Sequence, residues 1–241
     1  MWIEHNNSSV VLLVSDPDKG FKDDVYSNDV DAYFIQVNVV NNYDGTQDTD
    51  NITSICESIR SVNQRAPVWI RSTITPSTFE KLNGKYHVNY MPEFLSERTA
   101  QEDFNTIEMV YTPNDNKSEL KLLKTIFNNR PGIEVSNIEA IYAKYFHNIY
   151  GAMKITYFNC IYDMCIKSGV DFSVVKQCMM VPGHTTSLYT KVPGPDGKLG
   201  YGGKCFPKDT IAFLAENPDS MLNIFLNRMP DINKEIRGNE N

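Results

Sequence analysis

Short apolar runs alternate with amphipathic stretches through the first half of the chain. Val10-Val11-Leu12-Leu13-Val14-Ser15 is rich in branched residues, ends at Asp16 and is broken by Pro17, Asp18 and Gly20. That pattern predicts a buried strand entering a loop. A second strand is expected over Ala32 to Val40, before the turn Asn41-Asn42-Tyr43-Asp44-Gly45. Thr49 to Val62 carries Ile52, Ile55, Cys56 and Ile59, the stripe of an amphipathic helix. Further strands are predicted at Val68-Trp69-Ile70, Tyr86 to Met91 and Ile107 to Tyr111, with a helix over Lys117 to Phe127. Strands alternating with helices point to a parallel sheet with crossover connections.

The pattern changes near residue 135. Ser136-Asn137-Ile138-Glu139 has the form of a capping box, and from there to Ser168 the chain has no Pro and a single Gly, Gly151. Gly169 supplies a stop. The helix between would be roughly 48 Å long at 1.5 Å per residue. Its apolar positions wrap most of the circumference, which places it inside an assembly. Asp171 to Met179 is a shorter helix, Val192 to Gly203 a Pro/Gly-rich loop, and a helix is expected from just after Cys205 to Ala215. Met221 to Met229 is a further helical piece, interrupted by Pro230. The fold expected is α/β: an incomplete Rossmann-like parallel sheet over residues 1–135, then an all-helical domain with one long central helix over residues 136–241.

Composition narrows the functional classes. A chain of 241 residues with 41% apolar and 22% charged residues is an ordinary globular one. Its net charge of −7 argues against a nucleic-acid partner. No apolar run is long enough for a membrane span, and Met1-Trp2-Ile3-Glu4-His5 does not open a secretory signal. The five cysteines are odd in number and form no CxxC pair, which fits a reducing cytoplasm and no zinc or other metal site.

Cys205 stands in the most informative context. Gly202 and Gly203 permit close backbone approach to a ligand, and Pro207 suits the first turn of a helix. A cysteine at that helix N-terminus is favoured as thiolate, with Lys204 and Lys208 adding positive charge nearby. Asp209 is spaced to orient a base, a water or a substrate hydroxyl. A buried cysteine beside an ordinary glycine loop is the alternative. Lys144 and Asn148 share one face of the long helix; Lys144, among apolar neighbours, either snorkels to water or serves a buried anionic site. Glu93, Glu97 and Thr73 follow strand ends, where ligand sites of parallel sheets lie, although caps or solvated side chains also fit. Asp16 suits either a ribose contact or the opening of a turn. His147 and His184 have no partner spacing and read as structural or exposed.

Four segments together resemble the UDP-glucose/GDP-mannose dehydrogenase family: Arg71-Ser72-Thr73, Pro92-Glu93-Phe94-Leu95-Ser96-Glu97, Ala143-Lys144 through Asn148 to Lys154, and Gly202 to Asp209. The Val192–Gly197 loop is similar to that of short members carried by bacteriophages. The resemblance implies NAD-dependent oxidation of a nucleotide sugar, UDP-glucose foremost, at C6 to the uronate. It implies Cys205 as nucleophile, and Lys144 and Asp209 as the pair that stabilises oxyanion charge and manages the proton through a water. Asn148 would hold the oxygen, Glu93 and Glu97 would serve hydrolysis and closure, and Thr73 would position water. Lys208, Phe206, Gly202 and Gly203 fall on the substrate side, and Asp16, Val37, Thr73 and Lys204 on the cofactor side. A cytoplasmic homodimer built on the helix over residues 136–168 is also implied.

The sequence departs from the family in three places. It contains no GxGxxG loop, and its first nine residues run straight into what reads as the family's second strand. Val37-Asn38-Val39-Val40 replaces a Val-Pro-Thr-Pro turn. The chain also stops where the family's central domain ends. These departures keep a second reading open: a nucleotide-sugar-binding or protein-binding relative without redox activity.

Overall fold

The computed structural model describes residues 10–95, 100–113, 117–183 and 185–237, the side chains of residues 100, 101 and 104 excepted. Glu97, His184 and the first nine residues lie outside the described residues. Two compact units divide the chain: Met1–Val40 with Gln47–Lys144, and Asn41–Thr46 with Tyr145–Asn241.

In the first unit, β1 (Ser15–Asp16) and β2 (Phe21–Lys22) form a small antiparallel hairpin. β3 (Tyr33–Ile35), β4 (Val68–Ile70) and β5 (Val88–Tyr90) make a parallel sheet in that order, with Tyr33 opposite Val68 and Val68 opposite Val88. β4 is buried at every residue, as a central parallel strand covered on both faces should be. Its Trp69 stacks on Phe34 with ring centroids 5.4 Å apart. Met91, Met109, Tyr111, Leu123, Ile126 and Phe127 complete that core. Leu123 and Ile126 come from α4 (Lys117–Ile126), the helix expected over Lys117 to Phe127.

On α1 (Asp50–Val62) the predicted stripe is the buried one, at Ile52, Cys56 and Ile59. α2 (Pro76–Tyr86) packs against α1 and β5. Thr75 caps it, accepting from the Thr78 N–H, and Pro76 occupies its first turn. α3 (Ala100–Thr106) leads to β6 (Met109–Tyr111), which pairs in parallel with β7 (Gly132–Glu134). Arg60 closes the far end of this unit, donating to the carbonyls of Tyr86 (2.8 Å) and Ala66 (2.8 Å). Asn63 ties in the approach to β3 by donating to Val30 O (3.0 Å) and accepting from the Ala66 N–H (2.9 Å).

The run Val10–Ser15 differs from its prediction. Only its last residue enters a strand, and that strand is half of a hairpin rather than part of the parallel sheet. Val11 is 88% exposed. Asp23 explains the local choice: its carboxylate accepts from the Val14 N–H (2.7 Å) and its own N–H donates to Val14 O (3.1 Å), so the segment is satisfied without a parallel neighbour. The Ala32–Val40 strand is likewise shorter than expected. Beyond Ile35 the Ser72 hydroxyl replaces a ladder partner for Val37.

α5 (Asn137–Ser168) opens with the capping box: Glu139 accepts from the Ser136 N–H (2.8 Å), and Ser136 Oγ accepts from the Glu139 N–H (3.2 Å). It closes in a Schellman motif, with Gly169 at φ 69°, Val170 N–H on Cys165 O (3.0 Å) and Gly169 N–H on Ile166 O (3.2 Å). The second unit takes up the helix from Tyr145. There Phe158 and Cys165 pack with Phe172 of α6 (Phe172–Met180). α7 (Phe206–Glu216), α8 (Met221–Leu226) and α9 (Met229–Arg237) follow, and α9 packs on α7. Pro230 falls in the first turn of α9, so it starts a helix there instead of breaking one.

Both ends of α5 yield tests. Gly169→Ala forces a Cβ into the left-handed region and is expected to lower stability by about 1 kcal/mol in urea unfolding. The Ser136 groups hold the Glu139 carboxyl below its ordinary range. A depressed carboxyl stabilises the fold above its unfolded pKa, and the contribution is lost as pH falls through the folded one. Glu139→Gln is therefore expected to lower the melting temperature more at pH 7 than at pH 3, measured by calorimetry.

Candidate active site

The loop into Cys205 is bent by Gly200 (φ 72°) and Gly203 (φ 77°), and α7 begins directly after it. Cys205 is the N-cap of α7 and is exposed. Its carbonyl accepts the Asp209 N–H at 2.8 Å, so Asp209 stands one turn along the helix. Asp209 has no exposed surface. Its carboxylate accepts from Asn148 Nδ2 (2.5 Å) on one oxygen and from Lys208 Nζ (2.5 Å) on the other. Two donors, one of them cationic, offset the cost of burying the charge. Asn148 is itself 4% exposed. An exposed thiol and a buried, hydrogen-bonded carboxylate thus share the first turn of one helix, where the backbone dipole favours negative charge on both.

Local packing fixes that turn. Phe206 lies over Gly151, the one glycine of α5, where a Cβ would strike the Phe206 ring. Tyr189 meets the same ring edge-on at 5.4 Å. Asn41 donates to Lys208 O at 2.7 Å. A Cβ on Gly202 would collide with the Arg237 guanidinium, so the room left by this glycine is filled from α9. Lys204 is exposed. Lys154 is buried and donates to both oxygens of Thr186, at 2.9 Å each, and burial lowers its pKa.

The first unit holds a separate polar group. Ser72 Oγ accepts the Val37 N–H (2.9 Å) and donates to Val37 O (2.7 Å), joining the ends of β3 and β4. Thr73 O accepts from Gln47 Nε2 at 3.1 Å. Glu93 Oε2 accepts from Gln36 Nε2 (2.8 Å) and faces Arg71 Nη2 at 3.5 Å. Burial lowers the Arg71 pKa and Glu93 opposes the shift; the guanidinium stays charged. Lys144 is 6% exposed, with its ammonium on Glu93 O (2.5 Å) and 5.6 Å from the centre of the Phe94 ring. Its hydrogen-bond partner there is a backbone carbonyl of the same unit. A shallow pocket beside this group is lined by Arg71, Glu93, Phe94, Glu108, Met109 and Arg130.

The structure thus brings together Lys144 with Glu93 in one unit, and Asn148 with Lys208 and Asp209 in the other. Asp16 sits on the hairpin and pairs with Lys19 at 3.2 Å. Gln36, Asn41, Asn159, Asn233 and Arg237 hold the site segments and went unmarked in the sequence. Asn and Arg carry no periodic signal. Among the described residues, no cluster of three or more His, Cys, Asp or Glu side chains could hold a metal. No helix of the described residues is long and apolar enough to cross a membrane.

Comparison with known proteins gives the family. The family model described as UDP-glucose/GDP-mannose dehydrogenase family, NAD binding domain, matches residues 15–130, and that for the central domain matches residues 138–235. A UDP-glucose 6-dehydrogenase of Rickettsia typhi is 30% identical over 213 residues, covering 80% of this chain and 48% of the relative. A GDP-mannose 6-dehydrogenase of Azotobacter vinelandii is 30% identical over 192 residues, covering 70% of this chain and 42% of the relative. Among solved structures, a UDP-glucose dehydrogenase from Pyrobaculum islandicum superposes with a TM-score of 0.72 at 24% identity, covering 85% of this chain and 50% of that one, which is a likeness of fold. The chain spans about half the length of these relatives. With both family models matched in order along its length, the chain belongs to the UDP-glucose/GDP-mannose dehydrogenase family.

Proposed function

We propose that the protein oxidises the C6 alcohol of a nucleotide sugar, UDP-glucose foremost, to the carboxylate, with Cys205 as nucleophile. The observation that carries this reading is the buried Asn148–Asp209–Lys208 group one helical turn from an exposed Cys205 thiol. A carboxylate held there suits proton management through a water, and its neighbouring cation suits a developing oxyanion. The thiol sulfur adds to C6 of the aldehyde, which keeps the reactive intermediate bound. At the thioester stage, water adds to the same carbon, the C–S bond breaks and the thiol is restored. Lys144 meets the oxyanion charge, Asp209 manages its proton through a water, and Asn148 holds the oxygen. Glu93, Glu97 and Thr73 serve water and closure. Phe206, Lys208, Gly202 and Gly203 form the substrate side.

NAD, when bound, would accept one hydride at each of the two oxidations, alcohol to aldehyde and thiohemiacetal to thioester. Val37, Ser72 and Thr73 at the ends of two adjacent parallel strands fit the nicotinamide side of such a site; Asp16 and Lys204 belong to the same assignment. The described residues contain no GxGxxG loop between a strand and a helix, the element that holds a pyrophosphate. The Val37-Asn38-Val39-Val40 segment beyond β3 favours one alternative, a member that binds nucleotide sugars or a protein partner without redox turnover.

A homodimer along α5 is part of the same proposal. Phe146, Tyr150, Met153, Tyr157, Cys160 and Met164 repeat at heptad a and d spacing, and Phe146, Tyr150, Tyr157 and Met164 are 44–66% exposed. An apolar seam of that period on a helix face is the pattern of a helix pair.

Two experiments test these statements. NADH formation at 340 nm is expected from one of a panel of UDP- and GDP-sugars and is abolished in Cys205→Ala; Asp209→Asn lowers kcat by about 10²–10⁴-fold. No turnover with any sugar, together with nucleotide-sugar binding in calorimetry, selects the binding-only alternative. Tyr150→Glu with Tyr157→Glu is expected to convert a dimer to a monomer in light scattering at tens of micromolar. A wild-type monomer at that concentration refutes the seam.

A further inference from the structure

The loop ahead of Cys205 does not hold itself. Tyr201, four residues before the cysteine, gives both of its backbone groups to one side chain: its N–H donates to Asn233 Oδ1 (2.7 Å) and its carbonyl accepts from Asn233 Nδ2 (3.0 Å). The Gly200 N–H donates to Asn159 Oδ1 on α5 at 2.9 Å. Arg237, one turn beyond Asn233 on α9, donates to Leu199 O (3.1 Å) and pairs with Asp196 (2.6 Å). Gly200 and Gly202 lack a Cβ where Asn233 and Arg237 approach, so the two glycines and the two side chains fit as one arrangement. Tyr201 is 3% exposed, and burial pushes its phenol up to about 12.

We propose that Asn233 is a positioning residue for Cys205: by pinning both backbone groups of Tyr201, it sets where the chain enters α7 and so keeps the thiol at that helix's N-terminus. The assignment rests on reading Cys205 as the nucleophile. An amide is suited to this task because it donates and accepts at once, so one side chain satisfies a backbone N–H and C=O that would otherwise be left unpaired in a nearly buried segment. A carboxylate or an ammonium meets only half of that need. The loop has no regular structure of its own to restrain Gly202 and Gly203, the residues between Tyr201 and Lys204. Release of Tyr201 therefore lets the entry to α7 wander. Cys205 is already exposed, and what release takes from it is its seat at the dipole.

The five free cysteines provide the readout. Cys178, exposed on α6, is an internal reference outside the loop, while buried Cys165 and Cys56 report opening of each unit. The Cys56 thiol is pushed up to about 11 by burial, which keeps it unreactive in the folded chain. The full chain is alkylated with iodoacetamide at pH 7.5, and each cysteine peptide is followed by mass spectrometry. Asn233→Ala is expected to lower the Cys205:Cys178 rate ratio about threefold while Cys56 and Cys165 stay protected. Asn233→Asp, which keeps the acceptor for the Tyr201 N–H, is expected to fall between. An unchanged or raised ratio overturns the proposal. So does labelling of Cys165 in both variants, which would make Asn233 a residue of the fold at large. An unchanged ratio in an enzyme that forms NADH refutes the role of Asn233 alone, whereas absence of NADH formation in the wild type refutes the oxidoreductase reading.

Discussion

A carboxylate without solvent has to be met by donors from inside the fold, and Asp209 is met by Asn148 and Lys208. That requirement reaches beyond the two bonds. Asn148 can answer it only from the inward face of α5, where Tyr145, Ile149 and Ala152 are also buried, so the rotation of the helix and the site are set together. Lys208, the residue before Asp209, supplies its cation from within the same turn of α7. Removing either donor would leave a buried charge partly unpaired, the costliest kind of defect in a core.

The same turn depends on absent side chains as much as on present ones. Gly151 is the one break in an otherwise strong helix-forming stretch, and the space it leaves is taken by Phe206. Gly202 leaves space that Arg237 takes. In both cases the backbone freedom of glycine is secondary to the closeness of approach it permits. The functional reading of a glycine-rich loop as a ligand cradle is therefore incomplete here. One part of the loop is shaped by α9 from behind.

In the first unit a different economy prevails. Glu93 is surrounded by Gln36, Arg71 and Lys144, two of them cations with little solvent access. The Ser72 hydroxyl serves the Val37 N–H and carbonyl together, so the chain can leave β3 without a longer ladder. Short strands joined by side-chain hydrogen bonds give a sheet whose carboxyl ends are dense in polar groups, the usual ground for a ligand site in parallel sheets.

The sequence by itself determined what local physics encodes. The capping box, the glycine stop and the uninterrupted run between them specified α5 to within a residue, because caps and helix propensity act over a few positions. The triple apolar run at Val68–Ile70 specified the central strand, and the Cys-Phe-Pro-Lys-Asp segment announced a helix with a cysteine at its start. Tertiary structure decided the rest. Whether Val10–Ser15 joined a sheet depended on a neighbour, and Asp23 supplied a local substitute. β7, three exposed residues, became a strand through pairing with β6 alone. The sequence left the partner of Lys144 open, and its ammonium lies on Glu93 O, 51 positions away in sequence. Asn233 was silent for the same reason. A hydrogen bond between residues far apart in the chain leaves no period, no spacing and no composition to read, and exists only once the backbone has brought its two ends together.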